Sequence, residues 1–195
     1  MADQKLTEQE SLQIITEMIQ KVKPRLHTGG TSAILWGTAV AIAGLVSFAQ
    51  LHWHFYIGFD IWLLVLAALI PQIFITLREK RGKKVTNYQE DALNGIWTAY
   101  GIGIFALVFY LRVIPAVPSR GSLLLILYGI PTLATGIAMK FRPMLIGSIL
   151  CYLFFIASCY LSAEFDWLFN GLAAIANWLI PGLILRHRQL KGNAC

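Results

Sequence analysis

The sequence predicts an all-α polytopic membrane protein with six transmembrane helices, both termini in the cytoplasm, and a short amphipathic helix before the first span. Three observations carry that expectation: scarce charge, six long apolar runs, and basic residues collected on one side of them. Of 195 residues, 57% are hydrophobic and only 13% are charged, where a soluble domain has about 25% charged. Too little polar surface remains to cover a water-facing fold. The net charge of +6 comes from Lys and Arg at the ends of apolar runs, a placement that disfavours a nucleic-acid partner.

A helix that crosses a bilayer needs about 20 mostly apolar residues. Stretches of that kind run from Gly30 to Leu51, Phe59 to Leu77, Leu93 to Leu111, Ser122 to Met139, Pro143 to Leu161 and Trp167 to Leu185. None carries a charge at its centre, and Asp60 stands at the entrance of the second. Their Gly and Pro content would weaken helices in water but is tolerated in lipid.

Orientation follows from the connections. Lys5, Lys21, Lys23 and Arg25 precede span one, and Arg78, Lys80, Arg81, Lys83 and Lys84 follow span two. Lys140 and Arg142 separate spans four and five, and Arg186, Arg188 and Lys191 follow span six. Only Arg112 and Arg120 fall on the opposite side. The positive-inside bias therefore places both termini in the cytoplasm. Trp53, Tyr56, Trp62, Tyr110, Tyr160 and Trp167 gather at the expected outer interface, where amphipathic rings settle.

Residues 1–28 form a separate cytoplasmic segment in this reading, and residues 29–195 form the transmembrane domain with its short basic tail. Thr7 and Glu10 make a capping box, and Pro24 marks the helix stop. Leu12, Ile15, Met18, Ile19 and Val22 share one helical face that expects a lipid surface or a protein partner. Cysteine spacing suggests no disulfide framework. The absence of an N-x-[ST] acceptor points to a bacterial cytoplasmic membrane.

Two internal patterns compete. Leu35-Trp36-Gly37 with Gly44 resembles Leu127-Tyr128-Gly129 with Gly136, and Leu93-Asn94-Gly95-Ile96 resembles Phe169-Asn170-Gly171-Leu172, as an inverted three-plus-three duplication would require. Alternatively, Ile70-Pro71, Ile130-Pro131 and Ile180-Pro181 place a helix-bending proline in every even-numbered span. Pro71-Gln72, followed by Arg78, resembles the PQ-loop motif of sugar and amino-acid carriers, where the Pro-Gln pair acts as a hinge. The likeness stops there: Pro181 precedes Gly182, and the helix count and N-terminal side differ from three-helix repeats.

Charged groups, the usual marks of ion pathways, are missing from the span centres. The neutral polar residues Gln72, Thr76, Asn94, Thr98, Asn170 and Asn177 are expected to point inward as ligand-binding or pore-lining groups, with Pro71, Pro131 and Pro181 as hinges. Stripes of small residues, Ala33-Gly37-Ala41 and Gly95-Ala99-Gly103, suit close helix contact within the bundle or with a second copy. His52, His54, Asp60, Glu164 and Asp166 form a weak metal constellation without fixed spacing. No HExxH, nucleophile triad or phosphate loop is present, and nothing implies a cofactor. The expectation is a carrier or channel for a small neutral or weakly polar solute, with a non-catalytic scaffold or regulatory subunit as the alternative.

Overall fold

A computed structural model describes residues 30–82, 88–114 and 120–192, whose regular structure is helical with no strand among them. In chain order the helices are α1 Thr31–His52, α2 Leu63–Ala67, α3 Leu69–Gly82, α4 Tyr88–Val113, α5 Arg120–Ala138, α6 Arg142–Ser158, α7 Ala163–Ala174 and α8 Ile180–Gly192. A π-helical turn, Ile175–Leu179, joins α7 to α8. The amphipathic helix expected in residues 1–28 lies outside the described residues.

Among the described residues, four helical stretches are long and apolar enough to cross a membrane: Thr31–His52, Tyr88–Val113, Gly121–Ala138 and Ala163–Lys191. The other two expected spans take different forms. In the second, Ala68 separates α2 from α3. The interruption comes three residues before Pro71, which has no N–H to offer the carbonyl of Ala67. The fifth is α6, an apolar helix of 17 residues, about 25 Å long.

The tightest packing is between α1 and the α7–α8 rod, and glycine makes it. Gly30, Gly37 and Gly44 recur every seventh residue on α1 and its cap. A Cβ built on Gly37 would lie 2.5 Å from the backbone nitrogen of Leu179, and one on Gly44 would lie 2.6 Å from that of Gly171. Only hydrogen fits there. Opposite α1, Gly147 of α6 presses on the carbonyl of Ala176. The π turn is thus held between two glycine contacts on different helices.

Helices α5 and α6 form a hairpin closed by a Schellman cap. Lys140 takes the left-handed conformation at φ 49, and the Phe141 N–H donates to the Gly136 carbonyl at 2.9 Å. Val40, Ala41, Leu124, Leu125, Tyr128, Cys151, Ala173, Ala174 and Trp178 make the core where α1, α5, α6 and the α7–α8 rod meet. Helix α4 approaches this bundle through α5, and its rings Trp97 and Tyr100 reach inward to Trp178.

Candidate functional site

Asp166, Asn170 and Asn177 are separated by four and seven residues, so at 100° per residue they lie on one helical face. All three are buried, with Asn170 and Asn177 fully enclosed. Among the described residues, every buried side-chain nitrogen or oxygen without a hydrogen-bond partner belongs to them: both Asp166 carboxylate oxygens, Asn170 Oδ1, and Asn177 Oδ1 and Nδ2. Uncompensated polar burial is costly. Its concentration on one face of one helix makes that face the candidate site.

At the first end of the face, the Asp166 carboxylate looks toward the backbone N–H groups of Gly121 and Ser122 at the start of α5. Neither oxygen attains strict hydrogen-bond geometry, yet the placement suits the positive end of that helix. One turn on, Asn170 Nδ2 donates to the Gly121 carbonyl at 2.8 Å and to the Asp166 carbonyl at 2.7 Å. The α5 terminus is therefore held by two side chains of α7. Gly121 is required here, because a Cβ would fall 2.7 Å from Cβ of Asp166.

At the other end, Asn177 occupies the π turn, beside Gly147 and the thiol of Cys151 on α6. That turn has a local cause. Pro181 removes the next helical donor, and one residue earlier the Ile180 N–H reaches back five residues to the Ile175 carbonyl. Such bulges gather at functional positions. The polar groups around Asn177 are already engaged. The Thr132 hydroxyl donates to the Tyr128 carbonyl and accepts from Trp178 Nε1, and the Ser148 hydroxyl donates to the Leu145 carbonyl. The Cys151 thiol donates to the Leu125 carbonyl at 3.2 Å.

No protein-family model, curated protein or solved structure matches this chain. The site must be understood from its own chemistry.

The structure separates the residues that the sequence grouped. Gln72 accepts from Trp36 Nε1 and donates to Ser32 and Thr76, each at 3.1 Å. It fastens α3 to α1, so neither it nor Thr76 serves Asn177. Asn94 and Thr98, expected inside, are exposed on α4. The Thr98 hydroxyl satisfies itself on the Asn94 carbonyl at 2.7 Å, and α4 turns Trp97 and Tyr100 inward instead. Of the proline hinges, Pro131 and Pro181 are buried, and Pro71 is exposed.

The metal constellation does not assemble, and no group of three such ligands exists among the described residues. His52 faces Glu164 at 3.7 Å, Asp60 accepts the Trp62 N–H at 3.0 Å, and His54 is exposed in the loop after α1. Asp166 turns into the bundle. Its spacing of four from Asn170 was the signal that joins it to the polar face. Gly147 and Cys151, one turn apart on α6, gave no comparable signal.

Proposed function

We propose that this chain is a six-span protein of a bacterial cytoplasmic membrane, with both termini cytoplasmic, that carries or conducts a small neutral or weakly polar solute. Counting α2–α3 and α6 with the four longer apolar helices gives six crossings, in keeping with the distribution of Lys and Arg. The lipid bilayer is its principal partner. The observation that carries the transport reading is the unpaired polar face of α7, ending in a π turn beside Pro181. Groups left without protein partners at membrane depth are available to a solute, and a π turn next to a proline is a joint at which a helix changes register. The chemistry is passage, not catalysis: among the described residues the interior offers neutral amides and hydroxyls, and the one buried carboxylate, Asp166, faces a helix terminus.

A second reading, a non-catalytic scaffold or regulatory subunit working through residues 1–28, draws support from the glycine contacts that lock α1 to the α7–α8 rod. In that case a second copy would join through small-residue faces or the N-terminal helix. Reconstitution separates the two. Purified protein in vesicles should speed the osmotic equilibration of small neutral solutes over empty vesicles and leave Na⁺ and Cl⁻ excluded. Folded protein that moves no solute would remove the transport reading. Topology has its own check: in intact cells an impermeant thiol reagent should reach cysteines placed at His54 and Ser119, and labelling at Lys83 would break the six-span arrangement.

A further inference from the structure

We propose that Asn177 is the recognition point for a solute bearing a primary amide or urea group. The assignment rests on the transport reading and narrows it to a chemical class. Asn177 is enclosed at 0% exposure, and Oδ1 and Nδ2 are both without a hydrogen-bond partner. An amide in that condition presents an acceptor and a donor side by side in one plane. A ligand that satisfies both must offer a donor and an acceptor at the same spacing.

Few small groups do so. A trans peptide points its N–H and C=O in opposite directions, so peptides fit poorly. A carboxylate offers acceptors alone and an ammonium donors alone, and each would bring an uncompensated charge to membrane depth. A primary amide or a urea pairs edge to edge with Asn177 through two hydrogen bonds. The surroundings reinforce that choice. Thr132, Ser148 and Cys151 are committed to backbone carbonyls, and Gln72 is held by α1 and Thr76. The edge of Asn177 lies beside the Cys151 thiol, yet neither its oxygen nor its nitrogen reaches a protein partner in hydrogen-bond geometry. Access is supplied by the same turn that carries the residue. Ile175–Leu179 lies between Gly37 and Gly147 with backbone against backbone, so a register change there moves Asn177 together with its neighbour Trp178, whose indole is bonded to Thr132.

The test compares urea and acetamide with glycerol and ethylene glycol, which carry hydroxyls only, in stopped-flow experiments on proteoliposomes. Amide solutes should cross about tenfold faster than the hydroxyl solutes once empty-vesicle rates are removed, the discrimination expected of about one net hydrogen bond. Asn177→Leu should abolish that preference, bringing the amide rate down to or below that of the hydroxyl solutes. It should keep or raise the thermal midpoint, because the amide has no protein partner to lose. Asn177→Ala supplies the same comparison if leucine prevents folding. Equal rates for the two classes in the wild type, as expected if Asn177 holds a water only, would overturn the assignment and leave the transport reading standing. So would a preference that survives both substitutions. Failure of every solute to cross would overturn both.

Discussion

Helix α4 contains Leu93-Asn94-Gly95-Ile96, and α7 contains Phe169-Asn170-Gly171-Leu172, two stretches in which Asn-Gly sits between apolar residues. Asn170 is enclosed and bonded to the start of α5, whereas Asn94 is exposed. Gly171 touches the backbone of α1 at Ala41 and Leu45, whereas a Cβ on Gly95 would meet nothing within 4 Å. Half of the most apolar stretch of Ala163–Lys191 is buried, against 6% for Tyr88–Val113. The difference lies in the neighbours. α7 faces a helix with glycine at the matching heights, so two backbones meet and enclose everything between them. α4 meets α5 through bulky rings that hold its backbone at a distance. The same local pattern marks a core position in one place and an exposed surface in the other.

The largest test of that contrast exchanges glycine for alanine on each side. Gly44→Ala would force a methyl against the Gly171 nitrogen at 2.6 Å and the Trp167 carbonyl at 2.8 Å, where neither backbone can yield easily. It should cost about 3 kcal/mol, the upper part of the usual range for overpacking. Gly95→Ala should be neutral or stabilise by up to about 1 kcal/mol, from helix propensity alone. Unfolding of both variants in matched detergent measures the difference. Equal losses would mean that α4 packs against something as closely as α7 does.

A smaller effect comes from the two asparagines. Asn170→Leu removes the donor that serves the Gly121 carbonyl and should cost about 1–2 kcal/mol. Asn94→Leu should change stability by less than about 0.5 kcal/mol, as expected of an exposed position. A substantial loss at Asn94 would place that side chain in a contact, and a second copy of the chain would be the first partner to test by crosslinking.

What the sequence revealed depended on how far each signal reached. Apolar length and the absence of central charge made the long apolar helices legible, four of which among the described residues are long enough to cross a membrane. The Asn170–Asn177 face was legible because spacing along one helix determines which residues share a side. Pairing between helices was not legible. Gln72 and Thr76 were expected to point inward as ligand-binding or pore-lining groups, but Gln72 bonds Trp36 and Ser32, which lie far away in sequence, and no periodicity records which helix becomes a neighbour. Asp166 was grouped with His52, His54, Asp60 and Glu164 as a weak metal constellation because it lies near a span end beside Glu164. Here the open end of α5 accepts it. The break at Ala68 and the π turn both lie near expected prolines, though the sequence could not decide between a kink, an interruption and a bulge.

The smallest effect concerns how α4 is held at all. Polar ties connect it to α5: Gln89 Nε2 donates to the Ala138 carbonyl, and Trp97 Nε1 donates to Thr135 Oγ1 at 3.1 Å. The second resembles the bond from Trp178 Nε1 to Thr132 Oγ1 at 3.0 Å, one turn away on α5, where the tryptophan belongs to the buried core. A double-mutant cycle with Trp97→Phe and Thr135→Val isolates the first bond, and one with Trp178→Phe and Thr132→Val isolates the second. Interhelical hydrogen bonds in membranes couple by about 0.6 kcal/mol on average, with about 1.7 as the upper end, and the Trp97 pair should fall near the average. The Trp178 pair should exceed it, because the Trp178 ring is almost wholly enclosed and its N–H has no alternative acceptor in solvent. Equal coupling in the two cycles would mean that the bundle holds α4 as firmly as it holds the α7–α8 rod. The loose attachment inferred from burial would then be a property of shape and not of energy.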